Sequence, residues 1–261
     1  GSEVYIFSQS GRHLQTFDGI TSALRYTFGY DSAGRLTSIT DRDNNVVLVE
    51  RNGSGSPTAI IGPFGQRTSL AINAAGYLSR ITNPAGDSVQ MTYIGDGLLA
   101  SFTNPRGFVS TYGYDTHGRL IAATDPTGAT KTLVRTGKHD DYTVALTTSL
   151  GRTNRYRVER LENKDIRLTN TDPSNVQTIA LLAQDGRRAI SYGDGTRVDQ
   201  LLGPDPRWRM LAPLVKSLTI TTPGGKVQNT TTQRTVILTD SSDPLSLRSF
   251  TQTTTINGRL F

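Results

Sequence analysis

The chain has 261 residues, a net charge of +6 with a pI of about 9.7, a hydrophobic content of 35% and no cysteine. The missing cysteines exclude disulfides, thiolate metal sites and cysteine nucleophiles, without fixing the compartment. No run approaches the roughly 18 apolar residues of a membrane span, so membrane insertion is not expected, and Gly1-Ser2 at the start reads as a cloning scar rather than part of a signal peptide.

The basic balance alone would suit a polyanion partner. Lys and Arg are spread singly, however, with no cluster longer than Arg187-Arg188, so nucleic acid is not an expected ligand. The 26 glycines and 11 prolines are scattered over the whole length. That pattern suits many short strands separated by turns, where Gly supplies positive φ and Pro pre-sets the turn.

Residues 1–30 hold one degenerate unit around Gly11-Arg12-His13-Leu14. Two punctuation series then begin, each stepping by 21 residues. One is Gly34, Gly55, Gly76, Gly97 and Gly118; the other pairs Pro63 with Gly65, Pro84 with Gly86, Pro105 with Gly107 and Pro126 with Gly128. Together they mark five regular blocks over 31–135. Two residues after the first glycine stand Leu36, Pro57, Leu78, Leu99 and Leu120. Five after it stand Ile39, Ile60, Ile81, Phe102 and Ala123, and the residue before the proline column is Asp41, Gly62, Asn83, Asn104 or Asp125, all turn-favouring. The second half of a block alternates, with Val89, Met91 and Tyr93 opposed to Ser88, Gln90 and Thr92. Period-two alternation is a strand with one face drier than the other. Each block therefore reads as two short strands and two turns, a β-hairpin. The predicted fold is all-β, tandem hairpin repeats of about 21 residues forming a curved or spiralling antiparallel sheet.

Tyr30-Asp31-Ser32-Ala33-Gly34-Arg35-Leu36 and Tyr114-Asp115-Thr116-His117-Gly118-Arg119-Leu120 resemble the Tyr-Asp-x-x-Gly-Arg-Leu signature of YD (Rhs) repeats, and Thr124-Asp125-Pro126-Thr127-Gly128 completes the motif. That family includes bacterial Rhs proteins, the C component of Tc toxins and the teneurins. The middle copies depart from the signature; Asn73-Ala74-Ala75-Gly76-Tyr77-Leu78 lacks the Tyr-Asp pair. The resemblance implies a scaffold: a sheet that winds into a shell around a polypeptide cargo, in a secreted or cell-surface protein, bacterial in the Rhs case. It implies no enzyme and no cofactor, with the rest of the parent shell and its cargo as partners.

Beyond 135 the register drifts. Gly151 falls late, Asp172-Pro173, Asp185-Gly186 and Thr222-Pro223-Gly224-Gly225 are turns at altered spacing, and Gly203–Arg209 is the largest interruption, expected as a loop or edge feature. Residues 136–261 are read as a divergent continuation of the array. Asn257-Gly258-Arg259-Leu260 looks like the start of a further repeat, so the chain is expected to be a piece of a longer protein with exposed sheet edges that self-associate.

Chemistry-bearing patterns are sparse. His13 and His117 are expected as solvated turn residues, and His139-Asp140-Asp141 has no second His at ligand spacing. Asp41-Arg42-Asp43-Asn44-Asn45 begins like a calcium loop but has Val46 where Gly is required, so a polar turn is expected. Gly53-Ser54-Gly55-Ser56 is offset from a nucleophile elbow. No catalytic or metal residue is assigned. The rival reading is an adhesion module that binds a glycan or polyanion through Tyr30, Arg35, Tyr114 and Arg119 on the polar face.

Overall fold

The computed structural model describes residues 3–261, so Gly1-Ser2 lies outside the described residues. The regular elements are 23 β-strands, and their pairings are antiparallel. The chain adopts the all-β hairpin architecture expected of it. It divides into two units, one ending at Thr130 and one running Lys131–Phe261.

The first unit carries β1 (Glu3–Phe7), β2 (His13–Asp18), β3 (Leu24–Tyr30), β4 (Leu36–Asp41), β5 (Val46–Arg51) and β6 (Pro57–Ile61). It continues with β7 (Arg67–Ile72), β8 (Leu78–Thr82), β9 (Ser88–Ile94), β10 (Leu98–Thr103), β11 (Val109–Tyr114) and β12 (Leu120–Thr124). Each strand pairs with the next. Phe28, Ile39, Val47, Val49, Ile60, Leu70, Ile81, Val89, Met91, Phe102 and Tyr112 follow one another across the ladder on one face. The opposite face mixes Ser and Thr with residues such as Val46, Leu48, Ala59, Ile61 and Arg80, and is tied by side-chain pairs such as Thr82 to Ser88 at 2.8 Å and Thr92 to Ser101 at 2.6 Å.

Six hairpins of this unit, β1–β2, β3–β4, β5–β6, β7–β8, β9–β10 and β11–β12, are irregular in the same place, and β2–β3 skips Arg25 as well. Pairing skips one residue on the outgoing strand just after the turn: Leu14, Thr37, Thr58, Ser79, Ala100 and Ile121 have no partner opposite. These are β-bulges, which bend the strand and raise its local right-handed twist.

The second unit carries β13 (Thr130–Gly137), β14 (Asp141–Thr147), β15 (Thr153–Arg160), β16 (Ile166–Thr171), β17 (Gln177–Leu182) and β18 (Arg187–Ser191). It ends with β19 (Arg197–Asp205), β20 (Arg209–Thr221), β21 (Val227–Leu238), β22 (Leu247–Ile256) and β23 (Arg259–Leu260). From β13 to β19 the pairing runs without a register shift. Tyr142, Val158, Leu168, Ala180, Ile190, Val198 and Ile220 share one face. Arg157, Thr169, Ile179 and Ser191 follow one another on the other, as do Ala189, Asp199 and Thr219.

Gly203–Arg209 is not a loop: Gly203, Pro204 and Asp205 end β19, and Arg209 begins β20, so the segment is the tip of an extended hairpin. Pro204 is accommodated because the ladder is bulged between Gly203 and Asp205, where no backbone donor is needed. Asn257-Gly258, expected to begin a further repeat, form the turn between β22 and β23. Both residues have positive φ, 47° and 81°, and make a two-residue hairpin that pairs Ile256 with Arg259.

Within each unit no second layer packs on the apolar face among the described residues. Among the described residues Ala59 alone is a buried hydrophobic side chain, and no large side chain is fully buried. The accessible surface is 16968 Å², against about 11,200 Å² for a compact 28.3 kDa monomer and about 13,500 Å² for two compact halves.

Candidate functional site

The candidate site is the repeat turn and what it touches in the next repeat. The turn closes itself. In Asp31-Ser32-Ala33-Gly34-Arg35 the Gly34 N–H donates to the Asp31 carbonyl (2.9 Å) and the Asp31 N–H to that of Arg35 (3.0 Å). The Asp31 carboxylate accepts from the Arg35 N–H (2.8 Å) and from its Nε (2.8 Å). Asp115 does the same work, accepting from the N–H groups of His117 (2.8 Å) and Arg119 (2.9 Å). An Asx side chain that holds the turn's donors mimics a backbone turn, which is why Asp or Asn begins these turns. Asn52, Asn73 and Asn104 accept the equivalent pair of N–H groups. The N–H groups hold the carboxyls of Asp31 and Asp115 below the usual carboxylate range, that of Arg35 leading for the first and that of Arg119 for the second. Asp41 is lowered too, chiefly by the Asn45 side chain.

All five glycines of the first series and the four that follow the prolines have positive φ, from 74° to 96°. Gly55 and Gly97 carry a second demand. A Cβ on Gly55 would fall on the Arg35 guanidinium, and one on Gly97 would lie 2.6 Å from Cε1 of Tyr77. Arg12 lies over Gly34 in the same way, and Leu98 over Gly118 at 3.6 Å. Thus at four of the five glycines the residue after the preceding repeat's glycine, Arg in the signature, lies across the next one, while Gly76, which follows Ser56, has open space. Pro63, Pro84, Pro105 and Pro126 occupy the second position of the other turns, where the closing bond runs from Gly65, Gly86, Gly107 and Gly128 back to Gly62, Asn83, Asn104 and Asp125.

The tyrosines make a second link. The Tyr30 hydroxyl donates to the His13 carbonyl (2.7 Å), that of Tyr93 to Leu78 (2.6 Å) and that of Tyr114 to Leu99 (2.9 Å). Each acceptor is the second residue after the preceding repeat's glycine. Arg51 stands in the same column and reproduces the bond with its Nη2, donating to Leu36 at 3.1 Å. Tyr77 and Tyr93 also pack ring to ring, centroids 5.1 Å apart.

Of the four residues singled out for ligand contact, Tyr30 and Tyr114 spend their hydroxyls on main-chain carbonyls, and Arg35 is engaged by Asp31 and Gly55. The Arg119 guanidinium makes no ion pair among the described residues. The structure does not bring the four together: Tyr30 with Arg35 and Tyr114 with Arg119 belong to different hairpins. His13 differs from expectation. It opens β2, and its ring packs on Phe28 (4.1 Å) and Phe7 (5.1 Å) with Nε2 3.0 Å from both the Gln15 carbonyl and the Thr16 hydroxyl. The aromatic neighbours on β1 and β3 make it a packing residue. His117 and His139 are exposed. The Asp41 turn is a polar hairpin turn, its carboxylate accepting from the N–H groups of Asp43 and Asn45. No group of three or more metal-ligating side chains occurs among the described residues.

One charged cluster escaped the sequence. Asp205, 2% exposed, pairs with Arg234 (2.6 Å) and accepts from the N–H groups of Arg207 (2.8 Å) and Trp208 (3.1 Å). Burial pushes its carboxyl up, but those N–H groups and the Arg234 guanidinium outweigh it and hold the carboxyl below the usual range. Arg234 also donates to Gln252 (2.7 Å) and lies 5.0 Å from the Phe250 ring centroid. The cluster fastens the β19–β20 tip to β21 and β22. Only the Gly-Pro-Asp-Pro run hinted at it.

The family model described as Teneurin YD-shell matches residues 1–259. The chain belongs to the teneurin YD-shell family. Human Teneurin-1 is 38% identical over 76 residues, covering 29% of this chain and 3% of its own length. Mouse Teneurin-4 is 41% identical over 64 residues, 24% of this chain and 2% of its own. This YD-shell segment thus spans a few hundredths of the curated relatives it matches. Among solved structures, TcdB2-TccC3-TEV aligns over 96% of this chain and 14% of its own at 12% identity, with a TM-score of 0.39. A Photorhabdus luminescens Tc holotoxin pore aligns over 89% and 14% at 12% identity, TM-score 0.32. The family assignment rests on the match to the family model and not on these two likenesses.

Proposed function

We propose that this YD-shell segment is a piece of wall: a scaffold that, with the rest of its parent protein, encloses or presents a polypeptide cargo in a secreted or cell-surface protein. The bacterial origin expected from the Rhs-type signature belongs to the same proposal, as do the regular array over 31–135 and its divergent continuation over 136–261. The observation that carries it is the uncovered apolar face of each unit. A free-standing domain buries such a face under a second layer; a wall leaves it to line a space or meet a partner. The side chains that recur through the repeats are used to hold turn to turn and strand to strand, as scaffolding requires.

The test is sedimentation velocity and native mass spectrometry of the isolated chain, together with binding of a dye specific for apolar surface. A cooperatively unfolding protein that binds the dye and self-associates through its edges supports the wall. A non-associating monomer that binds no dye refutes it. The adhesion-module alternative requires Tyr30, Arg35, Tyr114 and Arg119 to reach a ligand. Loss of glycan binding in R119Q at unchanged stability would favour it.

A further inference from the structure

We propose that the polar face of the second unit carries a docking groove for an acidic polypeptide segment, centred on Arg155 and Arg167. Two adjoining depressions lie on this face. One, of about 360 Å³, is lined by Arg155, Arg157, Arg167, Thr169, Thr171 and Gln177 among others. The other, of about 540 Å³, has Leu181, Ala189 and Leu201 in its floor and Arg187, Arg197 and Asp199 around them. They meet at β17, where Ile179 borders the first and Leu181 the second.

The register explains the charge. Arg155 stands opposite Thr171, Arg157 opposite Thr169 and Arg167 opposite Glu159, while Thr171 faces Gln177 on the next strand. Three guanidinium groups thus point from one face with only part of their charge answered. Arg157 is neutralised by Asp141 (3.3 Å) and Glu159 (2.9 Å). Arg167 only grazes Glu159, at 4.0 Å, and the Arg155 guanidinium has no hydrogen bond or ion pair among the described residues. Two forked donors with unused capacity, beside the Thr171 hydroxyl and the Gln177 amide, are the donor set that takes a carboxylate.

The surroundings select the class of partner. No aromatic ring lines either depression, so there is no platform on which a sugar or base would stack. Carboxylates alternate with the arginines, Glu159 in one depression and Asp165, Asp185 and Asp199 in the other. A uniformly sulfated or phosphorylated chain would meet them unfavourably. A peptide with a carboxylate for Arg155 and Arg167, and an aliphatic residue for the Leu181–Ala189–Leu201 floor, meets neither penalty. The inference does not depend on the shell reading, since an outer or an inner wall would present the face equally.

The experiment uses the full chain and a fluorescent peptide of alternating Glu and Leu, followed by anisotropy at low salt. Binding that weakens at least tenfold in R155Q/R167Q, and is unchanged in R42Q, which lies on a turn of the first unit and not in the groove lining, is expected. Retained binding in R155Q/R167Q overturns the proposal, as does tighter binding of a heparin oligosaccharide than of the peptide. Should the double variant misfold, phenylglyoxal modification of the native chain decides: the peptide must protect Arg155 and Arg167, and equal labelling with and without it overturns the proposal.

Discussion

Replacing Gly97 by alanine separates two costs that the repeat glycines carry. Gly76 and Gly97 have nearly the same backbone, φ 87° and 96°, so alanine suffers a comparable left-handed penalty at each, about 1–2 kcal/mol, partly offset by about 0.4–1 kcal/mol from a stiffer unfolded chain. They differ in what the new methyl meets. At Gly76 there is open space; at Gly97 the Tyr77 ring lies 2.6 Å away. Tyr77 must swing off its position, at about 0.5–1.5 kcal/mol for a strained rotamer, and it gives up a ring contact with Tyr93 worth about 0.5–1.5 kcal/mol. G97A is therefore expected to destabilise by about 1–3 kcal/mol more than G76A, read from urea unfolding followed by far-ultraviolet circular dichroism with unchanged slope. In a Y77A background the excess should vanish, leaving G97A equal to G76A, because the double-mutant cycle removes the only side chain responsible. Equal costs for G97A and G76A in the native background would refute the idea that Tyr77 covers the glycine of the next repeat.

Three further outcomes follow from the same geometry. Y93F and Y114F should each cost about 1 kcal/mol, the net worth of one hydrogen bond, whereas Y26F, whose hydroxyl has no partner among the described residues, should be neutral in the same unfolding assay. The carboxyls of Asp31, Asp41 and Asp115 are held low by the N–H and amide groups of their turns. Their stabilising contribution is therefore present above the unfolded carboxylate pKa of about 3.9 and is lost as pH falls through the lower folded values. D115N, which keeps the accepting oxygen as Asn73 and Asn104 already do, should flatten the acid limb of stability against pH with little change at neutral pH. R234M leaves Asp205 buried without its partner and should destabilise the second unit by about 3 kcal/mol; hydrogen exchange in β19 to β22 should rise while that in β3 to β12 stays as it was.

How much was legible follows from what a sequence encodes locally. Turns whose positive φ falls on glycine announce themselves, and so did the strands between them. In two turns of the second unit the same backbone position is filled by Lys164 at φ 68° and Asn175 at φ 64°, so the glycine punctuation lapses there although the turns remain, while Gly151, Gly186, Gly195 and Gly225 keep it elsewhere. The tyrosine column was visible, but its hydroxyl partners are carbonyls 15 to 17 residues upstream, a relation set by cross-strand register. Arg51 could be recognised as a substitute for tyrosine only once that register was known. Asp205 and Arg234 are 29 residues apart and meet because two hairpins are longer than their neighbours.

The skipped residue of each bulge answers a counting problem. A strand sends alternate side chains to opposite faces, so a repeat of 21 residues, being odd, would turn its dry side to water in every second copy if all residues paired. Ile39, Ile60, Ile81 and Phe102 nevertheless stay on one face, because Thr37, Thr58, Ser79 and Ala100 are each left out of the pairing. Between β13 and β19 nothing is left out, and there the odd period is lost as well. Parity therefore couples the two features: an array of this kind can gain or lose a whole odd unit only together with its bulge, and a lone one-residue deletion would invert every side chain up to the next irregularity.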